Sequence, residues 1–170
     1  MAYNRSHRKD SFLEEDEAKE ESVFMDKYRL SFNILEQEGI LIQQYNNILR
    51  SMKAGYYDNK TITASYEFLD CWTTLKGLYD FLEFNKLTKW DGTHDKEKKG
   101  KKKEKEEDYK KNKEDCQKLK LLMKDYINNK NLSLQNLSEA YNLLRKFIAL
   151  SGYHEDTYKD KGGTLGEEED

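Results

Sequence analysis

The residues of this chain that could do chemistry are three histidines, two cysteines and a scatter of acids, and their spacing keeps them apart. His7, His94 and His154 each fall in a stretch without apolar periodicity. A metal site inside a helical bundle uses inward glutamates together with Glu-x-x-His on facing helices, and no Glu-x-x-His occurs. The histidines therefore read as surface residues, and neither a metal nor any other cofactor is expected. Cys71 and Cys116 form no Cys-x-x-Cys, so the expected compartment is the reducing cytoplasm. A nucleophilic thiolate needs a neighbouring His or a helix N-terminus. Neither cysteine has one in sequence, and Cys71 beside Trp72 reads as a small buried apolar residue.

The acids are no more convergent. Glu67, Asp70 and Glu83 fall in one helical pattern, and Glu36 and Glu38 in another. Glu17-x-x-Glu20 has the spacing of an all-helical nucleotide-hydrolase motif, but it lies where there is no apolar face to bury it. A solvated carboxylate keeps its ordinary pKa and is poor material for acid–base work. Arg145 and His154 are separated by the cap residue Gly152, which does not fit the closely spaced Arg and His of helical abortive-infection endoribonucleases. Gly100-Lys101 and Lys161-Gly162-Gly163 lack the strand and helix that a phosphate-binding loop requires. No catalytic residue is expected, and the protein reads as a non-enzyme.

The elements that would position any site are helical. The chain has 170 residues, no proline, 36% hydrophobic and 37% charged residues. That allows one domain with a modest core and charged stretches outside it. Residues 1–21 turn from basic to acidic with few apolar positions and are expected to be disordered. From 23 to 53, Phe24, Tyr28, Phe32, Leu35, Ile42, Tyr45, Leu49 and Met52 recur at helical spacing. Ile34, Leu41 and Ile48 form a second row that widens the stripe. Gly39, within it, predicts a bend or a close approach. A second helix over 62–88 carries Ile62, Tyr66, Leu69, Trp72, Leu75, Tyr79 and Leu82, with Phe68, Leu78 and Phe81 beside them. A third over 105–130 carries Tyr109, Cys116, Leu119, Met123 and Tyr126. The fourth, over 133–151, opens at a Ser133 cap and closes at Gly152. The tail 153–170 is acidic and is expected to be disordered.

The most biased segment is KEKKGKKKEKEEDYKKNKED, residues 96–115. Its left part, 96–103, holds six lysines against one glutamate, a local net of +5. Its right part, 104–115, holds four lysines against six acids, a net of −2. Glu106–Lys110 and Glu107–Lys111 stand at i,i+4 in the order that supports a helix, so the right part belongs to helix three. Lys96, Lys98, Lys99, Lys101, Lys102 and Lys103 remain as candidate phosphate contacts. They would act without sequence preference, because no arginine or aromatic residue is interleaved to read bases. The other reading is a solvated spacer within the charged linker 91–104. The whole chain carries a net charge of only −3, so nothing demands a polyanionic partner.

Three aromatic residues fall at the ends of the pattern: Tyr56 and Tyr57 in the first inter-helix loop and Trp90 where the linker starts. They either cap the helical core or anchor a partner, since Tyr and Trp are enriched in binding hot spots. The expected fold is all-α: an up-down antiparallel four-helix bundle over 22–152, with a charged, flexible loop between helices two and three and disordered termini. Two short connections favour antiparallel neighbours. No apolar run reaches the length of a membrane span, and no signal peptide opens the chain. The expected function is non-catalytic protein–protein interaction or self-association. The alternative is weak, non-specific nucleic-acid association through the linker lysines. A composition rich in Lys, Asn and Tyr and poor in Arg is what an AT-rich genome encodes. That associates the chain with a phage or mobile-element setting, in the virion or the host cytoplasm.

Overall fold

A computed structural model describes the backbone of residues 12–92 and 106–155, and the side chains within those ranges from Arg29 onward. Every regular element among the described residues is helical. In chain order these are α1 (Phe12–Lys53), a 3₁₀ turn (Ile62–Ala64), α2 (Tyr66–Asn85), a second 3₁₀ turn (Leu87–Lys89), α3 (Glu106–Ile127) and α4 (Leu134–Leu150). The chain divides into two compact units: Met1–Ile34 with Tyr153–Asp170, and Leu35–Gly152. In the first unit Ser31, Ile34 and Tyr153 are buried, while Leu30 and Phe32 are exposed.

α1 begins at Phe12, well before the expected start at 23. The stretch FLEEDEAKEES is rich in Leu, Ala, Glu and Lys, which favour the helix intrinsically. Once a helix is nucleated downstream, such residues prolong it without needing a core face. In the second unit the buried line of α1 is Glu38, Leu41 and Ile48, with Tyr45 and Met52 half-buried. This corrects the expected face, because Ile42 is only half-buried and Leu49 is exposed. The row taken as secondary is the core row, and a glutamate stands in it. Nothing among the described residues lies within 4 Å of a Cβ placed on Gly39, so close packing does not explain that glycine.

α2 is shorter than expected, with a 3₁₀ turn at each end. The Ser65 hydroxyl accepts the amide N–H of Phe68 at 3.2 Å and donates to the Ile62 carbonyl at 2.8 Å. Ser65 thus closes the turn and opens the helix, a cap worth about 1 kcal/mol. That break shifts the phase of the helix. Phe68, Cys71, Trp72, Leu75, Leu78, Tyr79 and Leu82 are buried, whereas Tyr66 and Leu69, both expected on the inner face, are exposed. After α2 the second turn buries Leu87 and Trp90. α4 follows expectation. Ser133 accepts the N–H of Asn136 at 3.1 Å, and Gly152 closes the helix at φ +85. Asn129 and Asn131 take the left-handed conformation at φ 55 in the turn before it, which Asn tolerates better than most residues.

Specific contacts give the directions of the packed segments. Glu38 meets Arg145, while Tyr45 stacks on Tyr141 at 3.9 Å and donates to the Ser138 hydroxyl at 2.7 Å. Trp72 stacks on Tyr126 at 5.0 Å, and Glu83 meets Lys120. Lys118 meets Glu139, and Asp115 meets Lys146. In each pair of helices, position falls along one as it rises along the other. α1 therefore runs antiparallel to α4, α2 to α3, and α3 to α4. The core between them holds Phe68, Trp72, Leu41, Ile48, Leu119, Met123 and Phe147, all essentially inaccessible. Burying each such side chain stabilises the fold by about 1.5–3 kcal/mol.

Candidate functional site

Several charged groups that the fold brings together pair with one another. Cys116 lies near Tyr79, Lys120, Glu83 and Asp91, a grouping no sequence spacing announced. The Tyr79 hydroxyl donates to Glu83 at 2.7 Å, and Lys120 stands 3.5 Å from both Glu83 and Asp91. Burial pushes the Cys116 thiol up to about 11, against the pull of Lys120, and Asp91 and Glu83 raise it further. Burial alone pushes Cys71 up to about 12. Burial and the Glu83 hydrogen bond raise Tyr79. A thiol this suppressed is a packing group at neutral pH, not a nucleophile. Both cysteines are free and fully buried.

A second polar layer joins α1 to α4. Glu38 accepts from the Arg145 guanidinium at 3.3 Å, and that guanidinium lies 5.6 Å over the ring of Tyr141. The buried carboxylate is thereby compensated by charge and hydrogen bonding, as a buried ion must be. A third joins α3 to α4. Asp115 sits between Lys146 and Lys111. Burial would raise its pKa, but hydrogen bonds from Lys146 and then Lys111 outweigh it and hold the carboxyl below its ordinary 3.8. Among the described residues no three His, Cys, Asp or Glu side chains converge as a metal ion would need.

The expected anchor residues have different fates. Tyr56 is 78% exposed beside an open recess of about 580 Å³ lined also by Met52, Tyr57, Asp58, Asn59 and Thr61. Tyr57 is half-buried and donates to Glu67 at 3.4 Å, tying the loop to α2. Asp58 takes the N–H groups of Thr61 and Lys60 and the Thr61 hydroxyl, which organises the loop and keeps its carboxyl below the usual range. Trp90 is only 5% exposed, its ring 5.3 Å from that of Phe147. The anchor reading of Trp90 is thus corrected to the capping one: its ring is inside. The candidate phosphate contacts Lys96, Lys98, Lys99, Lys101, Lys102 and Lys103 lie outside the described residues. Among the described lysines, Lys76, Lys111, Lys118, Lys120 and Lys146 each face a carboxylate.

The feature missed in sequence is the outer face of α2. Tyr66 is 83% exposed and Phe84 86%, and Leu69 is exposed as well. On a helix of 3.6 residues per turn, Tyr66, Thr73, Gly77 and Phe84 fall within about 20° of one line. The two rings stand about 27 Å apart along the axis. Between them Thr73 and Gly77 are exposed, and a Cβ on Gly77 would meet nothing within 4 Å among the described residues. The Thr73 hydroxyl donates to the Leu69 carbonyl at 3.0 Å. At the edge of the line, Lys76 and Asp80 pair with each other. The signal that could have found this face is Ser65, whose capping habit resets the helical phase.

No protein-family model, no curated protein and no solved structure matches the chain. Among the described residues, no helix is long and apolar enough to cross a membrane.

Proposed function

We propose that residues 35–152 form an up-down antiparallel four-helix bundle that acts by binding protein rather than by catalysis. The antiparallel contacts between α1 and α4, α3 and α4, and α2 and α3 support the topology. The observation that carries the function is the outer face of α2. Two of the most exposed large side chains in the described chain, Tyr66 and Phe84, share one line on a helix whose other side is closed. Lone apolar surface residues are ordinary, so the reading rests on the shared helix face of these two rings and not on either ring alone. Aromatic anchors of this kind carry binding energy out of proportion to their number.

The test is comparative capture. The full chain and its Tyr66→Ser/Phe84→Ser variant are immobilised and exposed to the same lysate and to the purified chain itself. The expected result is at least one protein, another copy included, held by the parent and lost by the variant. Equal retention by both, or retention of nothing, contradicts the reading. The nucleic-acid alternative has no observation among the described residues to favour it.

A further inference from the structure

We propose that residues 35–53 of α1 are a displaceable strap, which lifts off α4 about a hinge at Gly55 while α2, α3 and α4 stay packed. The inference is independent of the binding reading and rests on what holds each helix. α2 is held by Phe68, Trp72, Leu75, Leu78 and Leu82, all buried. Over 35–53, α1 contributes only Leu41 and Ile48 as fully buried apolar side chains. Around them its contacts with α4 are made by Tyr45 and Glu38. Tyr45 lies on Tyr141 at 3.9 Å and donates to the Ser138 hydroxyl at 2.7 Å, and Glu38 meets Arg145 at 3.3 Å.

A polar seam is a weak latch. On opening, Glu38, Ser138 and the Tyr45 hydroxyl exchange a protein partner for water, so the net loss is small. Arg145 is already partly in water. The Gln44 side-chain carbonyl is buried, and no donor reaches it among the described residues. Lifting α1 gives that oxygen the water that the closed state denies it. An apolar seam has no such return, because uncovering Phe68 or Trp72 loses hydrophobic free energy outright. Elements with few buried apolar contacts open before the whole fold does. The hinge is also visible. α1 ends at Lys53, and Gly55 takes φ +86 with nothing among the described residues within 4 Å of a Cβ placed on it. Beyond it the loop is fixed by its own groups: Asp58 holds the N–H groups of Lys60 and Thr61, and the Tyr57 hydroxyl reaches Glu67 of α2. Movement is therefore concentrated just after α1, in the few residues that absorb a change of φ and ψ.

The strap covers one thiol and not the other. Cys71 lies near Tyr141, the residue on which Tyr45 stacks. On α2 it stands about 100° round the axis from Trp72, whose ring packs on Tyr126 of α3. Cys116 lies instead between α3 and α2, beside Tyr79 and Lys120. Lifting α1 uncovers Cys71 and leaves Cys116 shut.

Pulse alkylation of the full chain with N-ethylmaleimide at neutral pH, with both cysteines quantified in the same digest, tests this. In a rigid fold Cys71 is the slower thiol, because burial pushes it up to about 12 against about 11 for Cys116. The strap predicts the reverse order, with Cys71 faster at least about tenfold. Hydrogen exchange of the same protein in low urea is expected to show the amides of 41–48 exchanging through an opening that leaves the inner amides of α2 and α4 protected. Arg145→Leu is expected to speed Cys71 labelling and α1 exchange about tenfold and to leave Cys116 unchanged. Adding Glu38→Leu turns the layer apolar and is expected to bring both rates back to the parent's or below. Cys116 reacting as fast as Cys71 or faster, or α1 amides exchanging in one global step with those of α2 and α4, overturns the strap. A Cys71 rate that is the same in the parent, Arg145→Leu and the double variant overturns the polar seam as its latch.

Discussion

The two faces of α2 draw on the same kinds of residue and meet opposite fates. Inward, Phe68, Trp72, Leu75 and Leu82 are closed off by α3, α4 and each other, and Trp72 stacks on Tyr126. Outward, Tyr66 and Phe84 hold rings of the same type in water. Aromatic content alone therefore does not identify the core of this helix. Phase does, and the Ser65 cap sets it. The inner rings stabilise the fold; the outer rings contribute little to folding, which makes their alignment informative about binding.

The comparison can be broken first by truncation. Trp72→Ala should cost about 3–5 kcal/mol, while Phe84→Ala should lie within about 0.5 kcal/mol of the parent, both read from urea unfolding at a concentration where the chain is monomeric. Comparable losses would mean that the outer face is packed after all. A smaller effect is expected from the charge admitted to the inner side. Arg145→Leu withdraws a partner from the buried Glu38 and should cost about 1–3 kcal/mol. Glu38→Leu in that background should recover much of the loss; if it does not, the pair is not what satisfies that layer.

The pH response tests the same inner layers. Asp115 is held below its ordinary pKa by Lys146 and Lys111, so its contribution is present above about pH 4. That contribution is lost as the pH falls through the lowered folded value. Asp115→Asn should flatten this part of the acid-unfolding curve and leave the curve above pH 5 parallel to the parent's. An unchanged acid limb would remove Asp115 from the account. The smallest expected effect is on the outer side. Gly77→Ala should stabilise the monomer by about 0.5–1 kcal/mol, since alanine favours the helix and meets no neighbour. A loss of stability would show the space over Gly77 to be filled from within the chain.

What the sequence made legible follows from these differences. The all-helical class, the Ser133 cap, the Gly152 stop and the inner row from Trp72 to Leu82 were readable, because period and capping chemistry are local. The core line of α1 was legible only as a second row, Ile34, Leu41 and Ile48. From residue 35 on it also holds Glu38, and an apolar pattern steers away from a charge whose partner, Arg145, is distant in sequence. Tyr66 was misplaced because a 3₁₀ turn and a helix were read as one phase. Trp90 was left open as an anchor, because only the folded chain brings Phe147 to it. The grouping of Cys116, Lys120, Glu83 and Asp91 arises from two helices and a turn, which no spacing along one segment encodes.

Comparative capture by the immobilised full chain and by its Tyr66→Ser/Phe84→Ser variant, from the same lysate and from the purified chain, tests the central claim most directly. The account predicts at least one protein, another copy included, held by the parent and lost by the variant. Equal retention by both, or retention of nothing, would contradict it.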